Sequence, residues 1–261
     1  MSRFSLTRHL IAVTCALGLL SALPVRAEDK ADLPPILRTI EGQGITILGE
    51  MKVPGGLRAF AAKAGSQPLA IYLTPDNEHV VVGTLVDGSG QDMAETQLKE
   101  MVEKPIMEDG WKQLEQSAWV VDGKADAPRI VYTFTDPNCP YCNKFWQAAR
   151  PWIDSGKVQL RHIMVGVIRQ DSPAKAAAIL EAKSPSEALT ENELKHKSGG
   201  IKALSKISDK STASLNSNAE LMTSLGFNGT PAIVFKKDDG SIGTVSGLPE
   251  DGALKMVLGP K

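Results

Sequence analysis

Cysteine is almost absent from this chain, three in 261 residues against 29 Lys and Arg and 30 Asp and Glu. So few thiols exclude a disulfide-stapled scaffold and leave no second cysteine pair to complete a four-ligand zinc site. The histidines do not fill the gap, because His79, His162 and His196 are scattered. A Lys/Arg-rich stripe with interleaved aromatics is also missing, and a formal net charge of −1 argues against tracking along nucleic-acid phosphates. Long apolar runs are confined to the chain start. Leu10 to Leu23 is apolar apart from Thr14, Gly18 and Ser21, shorter than the roughly 20 residues a membrane helix needs.

That start reads as an export signal. Arg3 and Arg8 supply a positive leading region, and Val25-Arg26-Ala27 places small residues where a signal peptidase cuts, so residues 1–27 are expected to be removed. An uncleaved anchor is the other reading of the same segment. Cys15 lies inside the apolar region, not at its end, so it is expected to leave with the signal and not to carry lipid. Cleavage takes three arginines and no acids, moving the formal charge from −1 to −4. The mature chain then holds Cys139 and Cys142 alone, in an oxidising compartment where a protein of this size needs no staple.

Those two form the sequence Cys139-Pro140-Tyr141-Cys142. The preceding run Arg129 to Phe134 alternates β-branched and aromatic residues and predicts a buried strand, which Asp136-Pro137-Asn138 breaks with turn chemistry. Cys142 to Arg150 predicts a helix ending near Arg150-Pro151, so Cys139 falls at a helix N-terminus. Free N–H groups and the helix dipole there lower a thiol pKa. Pro140 suits the first helical turn, and Cys142 is placed to attack a mixed disulfide formed at Cys139. Half a zinc site or an inert buried pair are the other readings of the spacing, and no metal is expected.

The remaining chain divides in two around a connector. Gly44–Leu48, Leu57–Ala61, Leu69–Thr74 and His79–Val86 predict short strands separated by Gly and Pro turns, a small sheet with little core of its own. Its Val80–Val82 strand predicts an edge, covered either by a second chain or within the monomer. Met93 to Ser117 predicts a helical, solvated connector rich in acidic residues and interrupted by Pro105, with an extra helix packed on a domain as the alternative. An α/β order follows: a strand at Val158–Val165, a helix at Ala174–Ala182 opened by Ser172-Pro173, a Ser/Lys/Asn-rich surface loop at Ser205–Asn218, a helix at Asn218–Leu225, a hairpin turning at Lys237–Gly240, and a last helix from Glu250 to Leu258. Thr230-Pro231 opens the first hairpin strand. Proline there is either a simple strand start or a cis residue facing the cysteines, where backbone groups can pair with an extended substrate.

Phe134 to Trp146, Ala149-Arg150-Pro151-Trp152 and Gly229-Thr230-Pro231-Ala232, together with Ile71–Asp76 and Ser246–Pro249, resemble the periplasmic disulfide isomerases of the DsbC/DsbG family over essentially the whole mature chain. Proline between the cysteines and the lack of a second disulfide place the resemblance on the DsbG side. It implies an α+β architecture: residues 28–92 a cystatin-like N-terminal dimerisation domain, 93–120 a linker helix, and 121–261 a thioredoxin-like catalytic domain with a helical insertion at about 172–226. It implies a V-shaped homodimer whose cleft takes partly folded or oxidised periplasmic proteins, with chaperone activity, reduction of cysteines oxidised to sulfenic acid, and recharging by a DsbD-like membrane reductase. Carried over residue by residue, Cys139 is the nucleophile, Cys142 the resolving thiol, and Pro140, Tyr141, Thr230 and cis Pro231 contact substrate. The only cofactor expected is the redox-active Cys139–Cys142 disulfide itself. A DsbA-like oxidase, or a holdase with incidental cysteines, are the competing functions.

Overall fold

The structure, a computed structural model, describes residues 33–260. The signal expected at 1–27, with Cys15, therefore lies outside the described residues. In chain order the elements are α1 (Pro35–Glu41), β1 (Ile45–Met51), β2 (Arg58–Ala64), β3 (Gln67–Leu73) and β4 (Val80–Val82), then α2 (Glu95–Leu98), a π-helical turn (Lys99–Glu103) and α3 (Lys104–Gln116). There follow β5 (Trp119–Asp122), β6 (Arg129–Thr135), α4 (Pro140–Asp154), β7 (Val158–Met164), α5 (Ser172–Leu180), α6 (Pro185–Leu194), α7 (Asp209–Ser224), β8 (Ala232–Lys236), β9 (Ile242–Ser246) and α8 (Asp251–Leu258). No helix among the described residues is long and apolar enough to cross a membrane.

Strands β1 to β4 form an antiparallel sheet in sequence order. The predicted strand at His79–Val86 shortens to three residues, and β4 stands at the sheet edge with Val81 58% exposed. The second sheet runs β5-β7-β6-β8-β9, with β6 and β7 parallel and the other pairs antiparallel. One of its faces packs under α4 and α8, through Phe145, Trp152, Ile153, Val257 and Leu258 against Val131, Leu160 and Phe235. Its other face is covered by α3 and α7, where Trp111, Leu114, Leu221 and Leu225 meet Tyr132, Phe134 and Val234.

That second face corrects the reading of residues 93–117 as a solvated connector. The acidic residues do face water, but Leu114 is fully buried beneath the sheet and Trp111 stands edge-on to Tyr132 at 5.1 Å. At its other end the segment buries Val102 against Met51, Ala59 and Tyr72 of the first sheet. Gly110 makes the close approach possible, since a Cβ there would meet Leu225 Cδ2 at 2.2 Å. Pro105 does not interrupt the helix, because the π-helical turn just before it loosens the backbone where the ring would clash with a preceding carbonyl. Trp119 and Val120, counted with the connector by sequence, open strand β5.

Two further boundaries differ. The Cys helix runs past Pro151 to Asp154; the proline removes only the one ladder bond to the Gln147 carbonyl, a turn back, and the helix continues beyond it. The stretch read as a loop at Ser205–Asn218 is mostly α7, capped by Ser208. Its asparagine is not a loop residue. Asn218 is buried, and its Nδ2 donates to the carbonyls of Ala118 and Met164, both at 2.9 Å, closing the ends of β5 and β7.

Candidate active site

Strand β6 delivers the chain to a turn that Asp136 holds shut. Asp136 is buried; Oδ1 accepts from Asn138 N and Ser172 Oγ, both at 2.8 Å, and Oδ2 from Val167 N at 2.7 Å and Ile168 N at 3.0 Å. The turn places Cys139 as the N-cap of α4, in extended conformation, with Pro140 at the first helical position. A cap residue supplies an acceptor to an amide otherwise left over at the helix start. Here that acceptor is sulfur: Cys142 N donates to Cys139 Sγ at 3.0 Å. Across the cleft the sulfur lies 3.3 Å from the Thr230 carbonyl, and the Thr230–Pro231 peptide is cis. Thr230 Oγ1 is buried with no protein partner. The six residues singled out from sequence, Cys139, Pro140, Tyr141, Cys142, Thr230 and Pro231, thus meet in one place although 91 positions separate Cys139 from Thr230.

Both cysteines are free thiols and buried, Cys139 only 1% exposed. Their acidities are driven apart. Cys139 is lowered to about 7, most by its hydrogen bond with Cys142, with further lowering from Thr230 and from the N–H groups of Cys142 and Tyr141, all against the opposing effect of burial. Cys142 is pushed well up, first by burial and then by the neighbouring Cys139 sulfur. Helix-start amides therefore contribute as the sequence suggested, but the largest contribution comes from the second thiol, which spacing alone does not reveal. Near neutral pH the anion belongs to Cys139, and the thiolate is the form that attacks sulfur.

Exposed apolar groups lie on the motif itself and on the segments hydrogen-bonded to Asp136 and Pro231. Tyr141 is 54% exposed, with Lys144 Nζ 5.2 Å from its ring centroid. Val167 and Ile168 are exposed on the loop that Asp136 holds, and Leu248 follows Gly247, whose N donates to the Pro231 carbonyl at 2.8 Å. Sequence reasoning did not single out Val167 and Ile168. Their signal was available as two branched apolar residues stranded after the end of a strand. Asn138 and Asn143, which flank the motif, are buried and tied to the helical insertion, Asn138 to Asp171, Ser172 and Lys175 and Asn143 to Glu193.

Two thiols tuned apart at a helix start, on a sheet of this order, define a thioredoxin-fold thiol oxidoreductase. A family model described as a thioredoxin-like domain matches residues 120–258. The "Thiol:disulfide interchange protein DsbG" of Pseudomonas aeruginosa is 46% identical over 98% of this chain and 99% of its own length. The protein of the same description from Escherichia coli is 41% identical, over 93% and 98%. The chain belongs to the DsbG family of thiol:disulfide interchange proteins, enzymes of thiol–disulfide exchange. Among solved structures, Proteus mirabilis ScsC in a transitional conformation shares the fold, with a TM-score of 0.50 at 22% identity over 64% of this chain and 84% of that one.

Proposed function

We propose that the protein is a periplasmic reductase and isomerase of disulfides and of singly oxidised cysteines, with Cys139 as nucleophile and Cys142 as resolving thiol. The observation that carries this reading is the split in acidity across the pair, about 7 for Cys139 and far higher for Cys142. In the first half-reaction the Cys139 thiolate attacks one sulfur of a substrate disulfide, forming a mixed disulfide and expelling the other sulfur as thiolate. With a substrate sulfenic acid the leaving group is hydroxide, released as water once protonated. Cys142 then loses its proton and attacks the Cys139 sulfur, freeing the substrate thiol and leaving Cys139–Cys142 as a disulfide. If the substrate's own second thiol attacks first, the substrate leaves isomerised and the enzyme stays reduced.

Burial keeps Cys142 protonated until the mixed disulfide exists, which gives a substrate time to rearrange. Tyr141, Pro140, Thr230 and Pro231 contact the substrate chain, with Val167, Ile168 and Leu248 supplying apolar surface. The exposed β4 edge joins two copies into a homodimer, and the paired arms hold partly folded proteins as a chaperone does. A DsbD-like membrane reductase supplies the two electrons that restore the dithiol.

Mixed-disulfide trapping tests the reading. Cys142→Ala should accumulate covalent complexes with oxidised periplasmic proteins, and the same variant should couple through Cys139 to a protein carrying a single sulfenylated cysteine. Failure of both, with Cys139 still alkylatable, would remove the assignment.

A further inference from the structure

Asn138 and Asn143 bracket the Cys-Pro-Tyr-Cys sequence, and each is held by a buried charged group of the helical insertion. Before the motif, Lys175 on α5 is buried and donates Nζ to Asn138 Oδ1 at 2.8 Å and to Asp171 Oδ2 at 2.9 Å. Asn138 Nδ2 completes the ring on Asp171 Oδ1 at 3.0 Å and also donates to Ser172 Oγ at 2.9 Å. After the motif, Glu193 on α6 is 3% exposed; Oε2 accepts from Asn143 Nδ2 at 2.7 Å and Oε1 from Asn192 Nδ2 at 3.2 Å. Its partners are amides only, and no cation pairs with it among the described residues. Asn192 is itself buried and donates to the Pro137 carbonyl at 3.2 Å, so the two ends of the motif share one polar layer.

Burying charge in this way is unfavourable unless something answers it, and neither side chain fills an apolar core. What differs between the two redox states of the site is charge. The reduced pair carries a thiolate at Cys139 near neutrality, whereas the disulfide carries none. A fixed buried charge nearby therefore acts on the reduced form alone, and it acts over a longer range than it would in water. An anion disfavours the reduced form and makes the pair more reducing, while a cation favours the reduced form and makes it more oxidising. Asp171 is half-exposed, so it screens Lys175 less than a buried partner would.

We propose that Glu193 and Lys175 are opposed positioning residues that set the dithiol–disulfide equilibrium of Cys139 and Cys142, Glu193 drawing it toward disulfide and Lys175 toward dithiol, each through the asparagine it holds. This rests on reading the pair as the redox centre.

The test is equilibration of the full chain with glutathione buffers at pH 7, the reduced fraction being read by thiol alkylation. Glu193→Gln should shift the equilibrium toward dithiol by roughly tenfold, about 30 mV for a two-electron couple. Lys175→Met should shift it the other way, and the double variant should return close to wild type. Glu193→Ala gives a second neutral side chain in case the new amide packs poorly. Urea unfolding of the oxidised and reduced forms runs alongside, because a merely structural role would weaken both forms equally and leave the equilibrium unmoved. Shifts of the same sign in the two single variants, or no shift in either, would overturn the inference. A wild-type pair that does not exchange with glutathione at all would instead overturn the redox reading beneath it.

Discussion

At Cys139 a sulfur occupies the place that a serine or aspartate oxygen takes in an ordinary helix cap, so one atom serves both the fold and the chemistry. With its acidity at about 7, alkylation of the reduced protein by iodoacetamide should rise about tenfold per pH unit below that value and level off above it. Following the rate from pH 5 to 9, in wild type and in Cys142→Ala, checks this. The variant should titrate higher, because it loses the hydrogen bond that contributes most to the lowering. A second residue-scale expectation concerns Asp122. Burial alone would raise its carboxyl, yet the His162 imidazole 3.5 Å away and hydrogen bonds from the Arg150 guanidinium hold it down at about 2. A group depressed in the folded state stabilises above its unfolded pKa of about 4, and the stabilisation fades as pH falls toward the folded value. Asp122→Asn should therefore cost about 2 kcal/mol at pH 7, and its urea midpoint should converge on that of wild type between pH 4 and pH 2.

Among the elements, α3 separates a packed helix from a solvated one. Leu114 is fully buried beneath the catalytic sheet, so Leu114→Ala should lose about 2–5 kcal/mol, where an exposed connector position would change by no more than about 0.5 kcal/mol. Chemical denaturation of the full chain decides between them. The strands, the hairpin and the Cys turn were legible because their signals are local: alternation of apolar residues, Gly and Pro turns, a proline at the first helical position. The connector misled because its composition is acidic. Composition counts all faces of a helix, and burial needs only the one that carries Trp111 and Leu114. The Ser205–Asn218 stretch misled for the opposite reason. Asn218 lowers helix propensity, yet inside α7 it satisfies two strand-end carbonyls, a partnership that no local pattern announces. The six residues that meet at the cleft were singled out because a turn and a Thr-Pro pair are visible in one dimension. Glu193 and Lys175 were not, since they reach the motif only through the folded insertion.

Over the whole molecule, the short β4 edge with its exposed Val81 and Val82 is the surface proposed to join two copies. Val81→Lys places a charge on that edge, a common way of keeping strands from pairing with another chain. Sedimentation should show the wild type as a dimer at micromolar concentration and the variant shifted to monomer, with simple dithiol chemistry retained. The segment from Met101 to Leu114 carries a different consequence. Val102 belongs to the core of the first sheet, Trp111 and Leu114 to that of the second, and Ile106 packs against both. Neither core is complete without a length of the same helix, so melting one strips a wall from the other. Heating should accordingly give one cooperative calorimetric transition in place of two, and the small N-terminal sheet, too thin to be stable alone, borrows the melting temperature of its larger neighbour.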